Sequence, residues 1–217
     1  MKIAKPQLII FDMDGTMLDT EPVSLDATVR AGAELGVKIT RELGESFMGK
    51  SVVRIREILH ANFGENFDAE RLFELHAIYV DEFFEKNGVP VKKGIFEILD
   101  KLEVLGIRKC VATSTAKKRA TEKLTSAKIA HRFEKIIGGD DVQNGKPSPD
   151  IFLKAAAECG VAPENCLIIE DTEAGALGAE AAKIRLILVP DIAPLDEKIR
   201  AKALAVCKDL FEVAEIF

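Results

Sequence analysis

Two aspartates, Asp12 and Asp14, directly follow a run of large apolar residues in the stretch LIIFDMDGT. Residues two apart on an extended chain point to the same side, so both carboxylates should face one place. A second acidic pair, Glu170 and Asp171, follows the apolar run LII at 167–169. Neighbouring carboxylates raise each other's pKa unless a positive charge neutralises them. Two such pairs favour an all-oxygen Mg²⁺ site over acidic residues that merely cap helices or remain solvated.

Groups that can hold a phosphoryl anion stand at two further places. Thr113 and Ser114 follow the apolar run CVA and precede the helical pattern AKKRATEKL. A chain that turns there into a helix offers hydroxyls and open backbone N–H groups at a helix N-terminus, which together suit an anion. Lys146 adds a positive charge. With the carboxylates, these groups predict a site that holds a phosphoryl group against a nucleophilic aspartate.

The elements that must position these residues are short apolar runs that alternate with helical patterns. Buried strands separated by helices favour a parallel sheet covered on both faces, and ligands of such sheets bind beyond the carboxyl ends of the strands. The sequence therefore predicts an α/β fold with its site at that edge. The predicted strands are 8–11, 110–112, 136–137, 167–169, 186–189 and 203–206.

One segment breaks the alternation. Residues 17–88 carry helical patterns and no convincing strand, for example SVVRIREILHANFG, and DAERLFELHAIYVDEFFEKNG with Asp68 as N-cap and Gly88 as the stop. We therefore predict a helical insert at 17–88 within a sheet domain formed by 1–16 and 89–217.

Composition excludes several classes of function. Of 217 residues, 47% are hydrophobic and 30% are charged, with a formal net charge of −6, so the chain should fold as a globular protein. Since no basic stripe is present, we expect neither nucleic acid nor a membrane surface as a partner. Apolar runs are too short for a signal peptide or a spanning helix, which predicts a cytoplasmic protein. The four cysteines are too scattered to indicate structural zinc or a disulfide framework.

Taken in order, four motifs resemble those of the haloacid dehalogenase-like phosphohydrolases: DMDGT, Thr113, Lys146 in GKPSPDIF, and the acidic pair in LIIEDTEAG. The resemblance spans nearly the whole chain. It implies a Rossmann-like parallel sheet core with an inserted all-helical cap domain, similar to the subgroup containing β-phosphoglucomutase and many sugar- and nucleotide-phosphate phosphatases. It also implies an enzyme, a phosphoric monoester hydrolase.

Catalytic roles follow from the resemblance for four residues. Asp12 would be the nucleophile that takes the phosphoryl group as an aspartyl phosphate. Asp14 would protonate the leaving oxygen and then act as the base that activates water. Thr113 and Lys146 would bind the phosphoryl oxygens.

Metal and substrate ligands are implied in the same way. Mg²⁺ would be held by the Asp12 carboxylate, the main-chain carbonyl of Asp14, Asp171, and Glu170 directly or through water. The substrate would meet Met13, Gly15 and Ser114 in the core. In the cap it would meet Gly49 and Lys50 of FMGKSVV.

The reaction itself has alternatives. We expect a monomeric, Mg²⁺-dependent phosphatase of a small phosphorylated metabolite. A phosphomutase of the β-phosphoglucomutase type is the alternative, but its histidine and arginine positions hold Ser24 and Val52 here, with Lys50 and Arg54 close by. A phosphoaspartate signalling receiver is less favoured, because it lacks the D-x-D-G-T spacing and any insert. A haloacid dehalogenase would need neither Asp14 nor the second acidic pair.

Overall fold

The structure is a computed structural model that describes residues 3–48, 50–192 and 194–217. The chain divides into two compact units, one formed by Met1–Asp19 and Val89–Phe217 and the other by Thr20–Gly88. We predicted the first boundary between residues 16 and 17, whereas the structure divides the chain after Asp19. The reason is that Met17 and Leu18 are fully buried and Leu18 forms a β-bridge with Val91 of the returning segment.

The first unit is built on a parallel sheet, which confirms the predicted α/β fold. Its strands are β1 Leu8–Phe11, β2 Arg108–Ala112, β3 Ile136–Ile137, β4 Cys166–Glu170, β5 Arg185–Leu188 and β6 Ala205–Val206. They lie in the order β3-β2-β1-β4-β5-β6, and every pairing is parallel. The strand predicted at 203–206 is shorter than expected, because residues 203 and 204 form a bend before Ala205–Val206.

Strand β1 is central, and all four of its residues are buried. Its last residue, Phe11, is level with Val111 of β2 and Ile169 of β4. The Asp12 N–H continues this pairing by donating to the Ile169 carbonyl at 2.9 Å. The residues that follow these three strands therefore emerge together at one edge of the sheet.

The second unit is helical, as predicted for the insert. Asp68 accepts from the Arg71 N–H at the start of its longest helix, and Gly88 follows the last residue of that helix, as the sequence indicated. A cluster of buried apolar side chains, including Leu59, Leu72 and Leu75, forms its core. The helices are α1 Glu21–Glu34, α2 Arg41–Glu45, α3 Val52–Phe63 and α4 Ala69–Asn87.

Helices also pack on the sheet of the first unit. One of them, Asp150–Glu158, buries Phe152 against the sheet core and leaves Leu153 38% exposed. These helices are α5 Ile95–Val104, α6 Lys117–Ser126, α7 Asp150–Glu158, α8 Glu173–Ala182, α9 Glu197–Arg200 and α10 Leu210–Ile216. Within the described part of the chain, no helix is both long enough and apolar enough to cross a bilayer.

Candidate active site

A buried lysine lies between two carboxylates at the carboxyl edge of the sheet. The Lys146 ammonium donates to Asp12 Oδ1 and, at 2.8 Å, to Glu170 Oε2. The three side chains are 6%, 9% and 0% exposed, so water screens this contact weakly. The structure therefore brings together residues from three separate motifs, and the contact of Lys146 with Asp12 alone joins residues 134 positions apart.

Three carboxylates share this place. Oxygens of Asp12, Glu170 and Asp171 all lie within 4.8 Å of one another, and all three residues are buried. Thr16 Oγ1 donates to Asp171 Oδ1 at 2.7 Å, which leaves Asp171 oriented by the loop after β1. Oxygen donors with excess negative charge are the set that a hard divalent cation prefers. The residues therefore fit a metal ion of the predicted kind.

The charge imbalance shows in the acid–base properties of the cluster. Burial and the nearby Glu170 raise the pKa of Asp12 to about 8, although Lys146 opposes the shift. Burial, followed by Glu170 and Asp12, raises the pKa of Asp171 well above its usual value. Burial also opposes ionisation of Glu170, but Lys146 and the hydrogen bonds from Thr172 together outweigh it and lower the pKa of that carboxyl. One lysine therefore does not neutralise three carboxylates, and a cation would complete the balance.

Two glycines lie so close to the acidic residues that a side chain at either position would collide with a carboxylate. Sequence reasoning did not identify this role. Gly15 has a φ of +83°, and a Cβ there would lie 2.3 Å from Asp171 Oδ2. A Cβ on Gly175, in the first turn of α8, would lie 1.9 Å from Glu170 Cδ. Glu170 Oε1 is held from the same turn by the N–H of Thr172 at 2.9 Å and its hydroxyl at 2.7 Å. The substrate contact of Gly15 stays a prediction, whereas the structure shows Gly15 lying directly against the Asp171 carboxylate.

Asp14 is held by different partners. Lys123 Nζ donates to its Oδ1 at 2.7 Å, and Thr115 Oγ1 donates to its Oδ2 at 2.8 Å. Its carboxylate is thus bound from the β2–α6 side, and the metal ligand predicted for this residue is its main-chain carbonyl. Sequence reasoning missed Lys123, because a lysine in a polar helix usually indicates a solvated face.

The expected anion site at the start of α6 is only partly open. Thr113 is buried, and its Oγ1 accepts from the Thr115 N–H at 3.1 Å. The Lys117 N–H donates to Asp140 Oδ1 at 2.7 Å. The expectation of open N–H groups was therefore wrong for Thr115 and Lys117, because neighbouring side chains satisfy both. Ser114 is exposed.

The remaining residues predicted to contact substrate are Met13 in the core and Gly49 and Lys50 in the cap. Met13 is fully buried, so a substrate contact by this residue falls to its backbone. Gly49 lies outside the described residues. Lys50 is exposed, and its N–H donates to the Phe47 carbonyl at 3.1 Å. Val52 is 55% exposed, so its side chain is open to solvent.

A cavity of about 210 Å³ lies within the helical unit. On one wall Ser24 Oγ is hydrogen-bonded to His76 Nε2 at 2.9 Å. Arg54, by contrast, pairs with Glu57 at 2.6 Å on the exposed side of α3. The cavity is lined by polar and apolar residues, namely Glu21, Ser24, Leu25, Thr28, Gly44, Phe47, Met48, Ile55, Leu72, Phe73 and His76.

Comparison with known proteins identifies the class. The family model for haloacid dehalogenase-like hydrolases matches residues 9–189. The chain belongs to this family, so the resemblance seen in the motifs is confirmed.

Individual relatives extend the comparison. The phosphorylated carbohydrates phosphatase of Thermotoga maritima is 31% identical over 186 residues, covering 83% of each chain. The protein SUPPRESSOR OF QUENCHING 1 of Arabidopsis thaliana is 32% identical over 193 residues, but the chain spans only 18% of its length. The crystal structure of β-phosphoglucomutase from Clostridium difficile is 25% identical with a TM-score of 0.77, covering 96% of this chain and 93% of that one.

Proposed function

We propose that this chain is a magnesium-dependent phosphatase that hydrolyses a small phosphorylated metabolite, a sugar phosphate or a nucleotide-like monoester, through an aspartyl phosphate on Asp12. Its broader class, a phosphoric monoester hydrolase, is confirmed by the family and by relatives named as phosphatases. The observation that carries the proposal is the buried cluster in which Asp12 contacts Lys146 and lies beside Glu170 and Asp171.

In the first step Asp12 attacks phosphorus, and the ester oxygen leaves with a proton from Asp14. In the second step Asp14 takes a proton from water, which attacks phosphorus and returns Asp12 as a carboxylate. Lys146 and Thr113 stabilise the negative charge on the phosphoryl oxygens in both steps. Burial keeps competing water away from Asp12.

Magnesium would be held by Asp12, Glu170, Asp171 and the carbonyl of Asp14. When bound, it supplies positive charge that lets Asp12 remain ionised and polarises the phosphoryl group. This role is supported by the raised pKa values of Asp12 and Asp171, which a divalent cation would lower.

Phosphomutase activity is the second candidate, favoured by the likeness to β-phosphoglucomutase. Ser24 and Val52 at the two mutase positions favour the phosphatase. A phosphate-release screen over sugar phosphates and nucleotides with Mg²⁺, run beside Asp12→Asn, tests the choice. We expect phosphate release that Asp12→Asn abolishes. Conversion of β-glucose 1-phosphate to glucose 6-phosphate faster than phosphate release, with its bisphosphate present, would favour the mutase.

We place this activity in a cytoplasmic monomer without a nucleic-acid or membrane partner. The formal net charge of −6 supports the absence of a nucleic-acid or membrane partner, because it disfavours binding to polyanionic surfaces. Cell fractionation and size-exclusion chromatography with light scattering test the location and the monomer.

A further inference from the structure

We propose that Lys123 is a positioning residue for Asp14: it fixes the carboxylate that exchanges protons with the leaving group and with water. The inference rests on the proposed function, because it assigns a residue that serves the same site. It concerns a residue outside the four motifs, and its basis is the geometry of α6.

The carboxylate of Asp14 is held at both oxygens. Lys123 donates to Oδ1 at 2.7 Å and Thr115 to Oδ2 at 2.8 Å. The torsion that rotates an aspartate carboxylate has broad minima, so the orientation of its plane depends on its partners. Two donors on different oxygens restrict this rotation, whereas one donor restricts it less. Asp14 is therefore oriented by the pair.

The ion pair is sheltered. The Lys123 side chain is 14% exposed and that of Asp14 is 23% exposed. Charges at this depth are screened less than those on an open surface, and a charge-assisted hydrogen bond is about twice as strong as a neutral one. Lys123 is thus the stronger of the two donors.

The segment that contains both donors, from Thr115 to the end of α6, is held in place by its neighbours. Lys123 stands beside the buried Leu124 of α6. At the other end of that helix, Asp140 binds the Lys117 N–H, and Gly139 donates its N–H to the Thr115 carbonyl at 3.0 Å. The approach is so close that a Cβ on Gly139 would lie 2.2 Å from the Ser114 carbonyl oxygen. Such packing leaves α6 little freedom, so Lys123 presents its ammonium from a fixed place.

Proton transfer depends on such placement. A displacement of about 1 Å in a reacting group can cost about 100-fold in rate. General acid catalysis contributes about 10²- to 10⁴-fold, and it matters most when the leaving group is a poor one. An alkyl phosphate needs protonation of its leaving oxygen, whereas p-nitrophenolate leaves without it. Removing Lys123 should therefore harm the first kind of substrate selectively.

The experiment compares kcat/KM for ribose 5-phosphate and glucose 6-phosphate with that for p-nitrophenyl phosphate. Lys123→Met preserves most of the side-chain length and removes the charge, Lys123→Gln is a second charge-removing variant, and Lys123→Arg tests rescue. Lys118→Met, at an exposed position of the same helix, is the matched control. For Lys123→Met we expect kcat/KM to fall about 10- to 100-fold on the sugar phosphates and less than about threefold on p-nitrophenyl phosphate. Lys123→Arg should recover much of the loss, and Lys118→Met should match the wild type.

An equal loss on both kinds of substrate, or no loss on either, would overturn the inference. Thermal melting of each variant identifies unfolding, and Lys123→Gln then supplies the comparison if Lys123→Met does not fold. A different result would overturn the proposed function itself, namely wild-type phosphate release by Asp12→Asn. If Asp12→Asn is inactive but the Lys123 variants keep the substrate preference of the wild type, the proposed function stands and the positioning role of Lys123 is wrong.

Discussion

Lys146 Nζ lies 2.8 Å from Glu170 Oε2, in a contact where neither side chain has appreciable access to water. The same ammonium contacts Asp12, so one cation serves two carboxylates that stand at the ends of neighbouring strands. Asp171 adds a third buried carboxyl group, whose pKa is raised by burial and by the two neighbouring carboxylates, and this excess of acidic groups makes the cluster suited to a further cation. Stability, metal affinity and catalysis should therefore respond together when the cluster is altered.

Replacing Lys146 should expose this dependence. Lys146→Met leaves Asp12 and Glu170 buried without their cation, and breaking a buried ion pair costs about 3–5 kcal/mol of unfolding free energy. We expect a loss of that order in urea unfolding with EDTA, partly restored by Mg²⁺, together with loss of phosphatase activity. Lys154→Met, which removes a partly exposed lysine paired with Glu158 on α7, is the control and should change little. A Lys146 variant as stable as the control in EDTA would contradict this account.

Stability without metal should fall as the pH rises toward 8. The folded-state pKa of Asp12 is about 8, against about 3.8 for the free group, so the folded protein binds more protons than the unfolded chain between these values. The unfolding free energy contributed by Asp12 therefore decreases with rising pH across that window, and Asp171 acts in the same direction. Added Mg²⁺ should stabilise most at the upper end, where it displaces fewer protons.

Urea unfolding at about pH 6, 7 and 8, in EDTA and in Mg²⁺, measures this effect. Asp12→Asn is the reference, because it removes the titrating group and should flatten the difference. If wild type and Asp12→Asn show the same pH slope in EDTA, the raised pKa of Asp12 has no part in stability.

Filling the space beside Glu170 should weaken Mg²⁺ binding if this carboxylate takes part in it. Gly175→Ala would place a Cβ 1.9 Å from Glu170 Cδ, so the carboxylate or the first turn of α8 must move. We expect weaker Mg²⁺ binding by calorimetry and a stability loss of about 1–3 kcal/mol from overpacking. Gly145→Ala, where an added Cβ meets nothing within 4 Å, is the matched control next to Lys146. Unchanged Mg²⁺ affinity in Gly175→Ala would show that Glu170 does not take part in binding.

Much of the sheet and its acidic edge could be predicted, because both depend on short-range pattern. Short apolar runs such as 8–11 and 167–169, which alternate with helical patterns, are typical of buried parallel strands. The polar residues that follow these runs must then lie where the strands end. The register of β1 with β4 then brings Asp12 and Glu170 together without any choice left to side chains.

Contacts between distant elements could not be predicted in this way. The pairing of Lys123 with Asp14 requires the orientation of α6, and that of His76 with Ser24 requires the rotation of α4 against α1. Asp140 at the start of α6 was missed for the same reason, because a carboxylate 23 residues away satisfies the Lys117 N–H. Helical periodicity indicates which face is apolar but not which polar residues meet across two faces.

The most direct test of the central claim is chemical trapping of the phosphorylated residue. Wild-type protein turning over a sugar phosphate with Mg²⁺ is quenched in acid and reduced with borohydride, which converts an aspartyl phosphate to homoserine, and the peptide containing Asp12 is analysed by mass spectrometry. We expect homoserine at position 12 and nowhere else, and none in Asp12→Asn. Trapping at another residue, or steady phosphate release with no trapped residue in a protein whose Asp12→Asn variant remains active, would contradict it.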